Sequence, residues 1–438
     1  MKKARFERIT LEKVVNGGQT IATADDGRKL FVWGGLPSED VTVRVTKRKS
    51  KLLEGIVTEV HNASPERIAP ADPDSYLSTS PWQIMTFEAE QRYKAQLIDD
   101  AFRQHHVSLP SETAIYTDSV DAHYRNKVEF SWYGDNSETG EDRLHLAFFR
   151  RGSKGKVIVD SSALLPVSMI QLAQQIRDNL QADHVTARQL KTLLIRCDSS
   201  RRCVWQLYAK DADFDASNLI VQMTKLAENN ASLQGGEVIY SDPRSPASVI
   251  TKRLASHGHV TLNDTVLGVP FRYAAESFFQ INLPVYEQAL RDMSSWVPKS
   301  GQTVDMYSGV GSIGLTIGNQ QTTLVEVNQY AVSEMKRNIQ ELGISATPVL
   351  AASEAALDYI VADKTIILDP PRAGLHADVV NRLLQVKPPR IIYLSCNPST
   401  QARDIALLLE KYDIVHHHGY NFFPRTPHIE HLVVLDAK

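Results

Sequence analysis

The sequence predicts an α/β protein of three parts. A small OB-like β-barrel occupies residues 1–62, a linker and α+β region residues 63–265, and a doubly wound, Rossmann-like domain residues 266–438. Three observations carry this. Short strand-like runs crowd the first part, strands and helices mix in the second, and strand- and helix-like runs alternate regularly in the third. The bulk numbers agree. A chain of 438 residues has room for two or three domains, and 42% hydrophobic with 23% charged residues is ordinary for a soluble globular protein.

In the first part the runs ITLEKV, QTIATA, KLFVWG, DVTVRV and LLEGIVTEV are separated by Asn16-Gly17-Gly18, Asp25-Asp26-Gly27 and Leu36-Pro37. Five short strands in so little chain suggest a closed barrel of the kind used for oligonucleotides. Arg44, Lys47, Arg48, Lys49 and Lys51 crowd one hairpin end. They are either a solvated end or a phosphate-contacting patch. A net charge of -3 excludes a uniformly basic nucleic-acid binder and leaves the decision to such patches.

Pro65, Pro70, Pro73 and Pro81 mark Ser64 to Trp82 as a linker. The segment Thr86 to Phe102 then reads as an amphipathic helix. HYRNKVEFSWYG alternates like a half-buried strand, PVSMIQLAQQIRDNL reads as a helix, and KTLLIRC with RCVWQLYAK reads as a hairpin. Three cysteines in so long a chain argue against a disulfide framework and for a reducing, cytoplasmic compartment. Cys197 and Cys203 are therefore expected as core thiols. No apolar run is long enough for a membrane span, and MKKARFERITLEK lacks the apolar core of a secretory signal.

In the third part TVDMY, TTLVEV, TPVLA, KTIILD and RIIYLS are strand-like, and AVSEMKRNIQELG, HADVVNRLLQV and STQARDIALLLEKY are helix-like. HHHGYNFF and HLVVLDA suggest a closing antiparallel hairpin. The run His416–His418 points to alternate faces of a strand, so no shared metal site is expected. Ligands of such sheets lie beyond the carboxyl ends of the strands. The first strand end holds Gly309, Gly311 and Gly314 in G-x-G-x-x-G spacing, and Glu326 ends the next strand. That spacing serves nicotinamide enzymes and S-adenosylmethionine methyltransferases alike. Asp305 before the loop favours a donor carrying an ammonium and a sulfonium over a pyrophosphate. Asp369 opens a rigid Asp-Pro-Pro turn. Cys396 ends RIIYLS just before a helix start that Ser399 or Thr400 could cap, a setting expected to lower the thiol's pKa. Glu430, sharing a strand face with His428, is a base or an edge charge.

Taken in order, SFFQIN, DMYSGVGSIGL, LVEVN, LDPPRAGL, LSCNPSTQARD and FFPRTPHIEHL resemble the RNA uridine-5-methyltransferase family. The N-terminal barrel resembles the TRAM domain of many ribosomal members, and HYRNK resembles a central segment associated with RNA contact. The resemblance spans nearly the whole chain. It implies that Gln280, Tyr307, Gly309, Glu326 and Asp369 hold S-adenosylmethionine, that Cys396 is the nucleophile and that Glu430 is the base. It implies RNA contact by Arg125, Asn126 and Lys127, and Lys47, Arg48 and Lys49 of the basic hairpin end are the barrel's candidates for RNA contact. Phe278, Phe279, Phe422 and Phe423 are candidates for stacking displaced bases, with core packing for at least one of each pair. Many relatives hold an iron–sulfur cluster through cysteines before the Trp-Gln dipeptide and one more in the central region. Here APADPDSYLSTSPWQ and VDSSALLP have none, so no cluster is expected. The adenine contact stays unassigned at Ser353 and Glu354. The TRAM-like barrel favours 23S ribosomal RNA over the T-loop of transfer RNA as partner, and a monomer is expected. Three rivals explain less. An amino-group methyltransferase needs no cysteine, a nicotinamide oxidoreductase leaves DPPR and SCNP idle, and a non-enzymatic RNA-binding factor needs none of the three site groups.

Overall fold

Alternation in the N-terminal runs puts Leu11, Ala22, Leu30, Val32, Val41, Val43 and Leu53 on one buried face, and the sheet that carries them curls around this separate core. The structure is a computed structural model and describes residues 5–136, 142–319 and 321–438. The expected five strands are six, because ITLEKV breaks into Phe6–Thr10 and Lys13–Val14. Between them Leu11 turns inward and its N–H bonds the Glu39 carbonyl.

The proline-rich linker is held by polar side chains. Glu39 is fully buried and receives Arg67 through both carboxylate oxygens, at 2.5 and 2.7 Å, and the backbone N–H groups of Leu36 and Ser64. Asp72, also buried, receives Gln83 Nε2 at 2.8 Å and the N–H of Ala163 at 2.9 Å, while Gln83 also bonds Ser80 Oγ at 2.7 Å. This knot joins the two segments in which relatives were expected to carry cluster cysteines.

The central sheet has seven strands, with the helices Val167–Ala182 and Ser217–Glu228 packed on it. Its strands Leu190–Cys197 and Cys203–Ala209 form the expected hairpin. Cys197 and Cys203 are buried but are not the thiols expected. They face each other across the hairpin and form a disulfide. Direct cross-strand opposition brings the sulfurs together, which a spacing of 6 residues alone does not reveal. The argument from cysteine count to a reducing compartment loses its footing with that pair.

The third sheet has eight strands and positions the site. Gln302–Met306, Thr322–Glu326, Ala346–Leu350, Lys364–Leu368 and Arg390–Ser395 are parallel, and Glu430–Ala437 and Tyr412–Tyr420 close it as an antiparallel pair. Val304, Met306, Leu324, Ile366 to Leu368 and Ile391 to Leu394 are buried because helices cover both faces. One segment of the expected 63–265 region packs against the third sheet. Helix Phe87–Gln104, capped by Thr86, packs on helix Pro398–Leu408, and strand Ile115–Tyr116 pairs with Tyr412–Tyr420. Among the described residues no helix is long and apolar enough to cross a membrane.

Candidate active site

Strand order turns separate motifs into one row. Met306 pairs with Val325 and Leu368, Leu368 with Tyr393, and Ser395 with His431. Just beyond these pairs lie Glu326, Tyr307 and Asp369, and two residues further along the strand direction lie Cys396 and, opposite Ser395's end of the next strand, Glu430. At about 4.8 Å per strand the row spans roughly 19 Å. Cys396 and Glu430 end adjacent strands.

At one end lies the glycine loop. Tyr307, Gly309 and Gly311 have φ of 68°, 57° and 90°, a left-handed turn that costs glycine little. A Cβ on Gly309 would meet nothing within 4 Å, so the loop is open above its backbone. Glu326 accepts the N–H groups of Gly309 at 2.9 Å and Asn328 at 2.7 Å. Each oxygen keeps a further lone pair for a ribose hydroxyl. Asp305 is fully buried under the loop. Its Oδ2 accepts Gly314 N–H at 2.9 Å, and its Oδ1 has no partner. Burial raises its carboxyl to about 8. An open cradle, an acid at the neighbouring strand end and an unpartnered buried oxygen fit a cationic, ribose-bearing donor. Gln280 is buried at the end of the segment Ala275–Gln280, whose anchoring the sequence did not explain. The buried Arg196 donates to the carbonyls of Ala275 at 3.3 Å, Ser277 at 2.5 Å and Phe279 at 2.7 Å and lies over the Tyr273 ring. A lone charge inside LLIRC was the available signal. Asn126, expected at an RNA surface, is buried instead and donates to the Gln280 carbonyl at 3.1 Å.

At the other end lies Cys396. Its helix is capped by Asn397, which accepts Ser399 N–H at 3.2 Å, and not by Ser399 or Thr400. The expected lowering of the thiol's pKa is reversed. Burial, then Glu430 and Asp369, push it up to about 12, against which Arg372 acts as the opposing charge. Burial raises both carboxyls as well, and Asp369 raises Glu430 further. Arg372 donates to His428 Nδ1 at 2.9 Å, and burial keeps that imidazole neutral, down to about 4. Neither Arg372 nor this bond was anticipated.

Arg125 and Lys127 are half-buried; Lys127 pairs with Glu129 at 3.2 Å. Lys47, Arg48 and Lys49 are exposed at the barrel's hairpin end, where Lys47 pairs with Glu54 at 3.0 Å. Phe279 and Phe422 are core residues, whereas Phe278 is 74% exposed beside Gln280. Ser353 and Glu354 line a cavity of about 540 Å³ together with Tyr307, His376 and Arg403.

A family model described as tRNA (Uracil-5-)-methyltransferase matches residues 87–438. The chain belongs to that family. This tRNA (uracil-5-)-methyltransferase family member is an S-adenosylmethionine-dependent RNA methyltransferase. It is 26% identical to a protein of Nitratidesulfovibrio vulgaris named an uncharacterized RNA methyltransferase, over 98% of this chain and 96% of the other. A Thermotoga maritima protein of the same name is also 26% identical, over 98% and 99%. The fold matches that of the Pyrococcus abyssi tRNA (uracil-54, C5)-methyltransferase, solved with S-adenosyl-L-homocysteine, with a TM-score of 0.77 at 20% identity over 98% of this chain and 100% of that one.

Proposed function

We propose that this protein methylates carbon 5 of a uridine in a structured RNA through a covalent adduct of Cys396 with the uracil ring. The observation that carries this is the placement of Cys396 and Glu430 on adjacent strand ends, at the end of a row that begins at the glycine loop. Gln280, Tyr307, Gly309, Glu326 and Asp369 hold the methyl donor. When bound, the donor supplies an electrophilic methyl and a positive charge.

Cys396 is protonated at rest, chiefly because it is buried and further because Glu430 and Asp369 lie beside it. Positive charge entering the site, with Arg372, offsets them and lets the thiol ionise to solvent. The sulfur then bonds carbon 6 of uracil and sends electrons into an enolate. Carbon 5 becomes nucleophilic and takes the methyl as the methyl's bond to the donor's sulfur breaks, the electron pair staying on that sulfur, which leaves as a neutral thioether. Splitting one hard step in two is the gain of covalent catalysis. Glu430 takes the proton from carbon 5. The carbon 5–carbon 6 double bond returns, and sulfur leaves carbon 6. A carboxylate whose proton affinity is raised by burial suits that task near neutral pH. The target base must leave its stack to reach a strand-end site. Phe278 offers an exposed ring for stacking, and Arg125, Lys127 and Lys47 to Lys49 offer phosphate contacts.

The barrel favours ribosomal RNA. A second reading, the T-loop of transfer RNA, is favoured by the Pyrococcus abyssi neighbour, whose match covers 98% of this chain and so includes the barrel. Labelled S-adenosylmethionine and total RNA from cells lacking the enzyme separate the two. Label in 5-methyluridine is expected, in the 23S fraction on the first reading and in the transfer RNA fraction on the second. Label confined to amino groups would overturn both. Cys396→Ala should abolish turnover, and RNA bearing 5-fluorouridine should trap the wild-type protein.

A further inference from the structure

Helix Phe87–Gln104 carries a fully buried ion pair. Glu90 and Lys94 are one turn apart, both 0% exposed, with Nζ 3.0 Å from Oε1. Burying two charges costs more than a surface pair returns unless their remaining valences are satisfied. Here those valences go to one loop of another element. Lys94 donates to the Asn421 side-chain oxygen and to the Phe423 carbonyl at 3.2 Å. Glu90 accepts Asn421 Nδ2 at 2.8 Å and Arg425 N–H at 3.0 Å. The bonding continues along the loop. The Phe423 carbonyl also accepts Thr426 Oγ at 2.7 Å, and that oxygen accepts His428 N–H at 3.3 Å, two residues before Glu430. A path of hydrogen bonds therefore runs from the pair to the strand end that bears the carboxylate.

We propose that Lys94 and Glu90 are positioning residues that set Glu430 against carbon 5 of the adduct, and so govern proton removal and release, not methyl transfer. This rests on Glu430 being the base. Charge is used here for registry. A neutral core would bury as much surface but would not fix where the loop from Asn421 to Glu430 sits.

The two half-reactions separate this role from general support of the fold. In single turnover with a substrate RNA and labelled S-adenosylmethionine, methyl transfer and the protein–RNA adduct surviving a denaturing gel are measured together. Lys94→Met leaves Glu90 buried without its partner and could fail to fold. Asn421→Ala keeps the ion pair and removes the one side chain that bonds both its members, leaving the bonds to the Phe423 carbonyl and the Arg425 N–H, so it loosens the loop without unpairing the charges. Either folded variant should transfer methyl at close to the wild-type rate, accumulate methylated adduct and lose about 100-fold in steady-state turnover, the scale of a displaced general base. The KM for the donor should not move. Equal loss of methyl transfer and turnover, or no loss of turnover, would overturn the proposal. Glu430→Gln is the reference. If it accumulates adduct and Asn421→Ala does not, only the positioning role falls. If Glu430→Gln accumulates none, the base assignment falls with it.

Discussion

Cys396 is the only free cysteine among the described residues, so its ionisation can be read directly by alkylation. With its thiol near 12, iodoacetamide should react slowly at pH 8 and faster as pH rises past 9. Glu430 is the largest contribution to the raised thiol after burial, so Glu430→Gln should lower the thiol's pKa and speed alkylation at pH 8. An unchanged rate would mean that Glu430 does not act on the sulfur. The position of Cys396 was legible, because a strand, a cysteine and a helix start are local features. Its protonation state was not. Asp369 and Glu430 come from other strands, and only the sheet order shows that they flank it. Arg196 is similar. The sequence shows a charge in an apolar run, and the tertiary fold shows the carbonyls that it binds.

At the level of elements, the loop after Gln302–Met306 has a pH signature. Burial moves Asp305 from its ordinary 3.8 to about 8. Between those values the folded chain holds a proton that the unfolded chain has released, so this group's contribution to stability is lost as pH rises through that window. Asp305→Asn should make the melting temperature fall less between pH 5 and 8 than it does in the wild type; parallel curves would contradict this. The polar knot under the linker makes a second prediction. Gln83→Ala leaves Asp72 short of a donor and should cost about 1–3 kcal/mol in chemical denaturation. A cost near zero would show that packing alone holds the segment. Strands and helices of the third region were legible from their period and their alternation. Helix Phe87–Gln104 was legible as a helix, yet its partner was not, because an apolar stripe does not say which sheet covers it.

At the scale of the molecule, the barrel is fastened twice. Gly18 has a φ of 86°, and a Cβ there would lie 2.1 Å from Pro427 Cβ, in the loop that leads to Glu430. Trp82 Nε1 bonds the Gly18 carbonyl at 2.9 Å and locks this approach. On another side Gly152 of the central region lies against Ile56 and Thr46 of the barrel, and Arg151 stacks on Trp33 at 4.1 Å. Gly18→Val should force the barrel off the loop, lowering both the melting temperature and turnover on RNA while donor affinity, measured calorimetrically, stays unchanged. Unaltered turnover would separate the barrel from the reaction.

Two fastenings remove the slack that a tethered module would have. On the proposed function, with Lys47, Arg48 and Lys49 gripping RNA, the barrel's basic hairpin and the strand ends would act like the jaws of a caliper with a fixed opening. An RNA gripped by one jaw can present only a base at a set path length to the other. Spacing along the RNA, more than the letters between, would therefore decide which uridine reacts. Inserting two or three nucleotides between grip and target should abolish methylation where changing their identity would not.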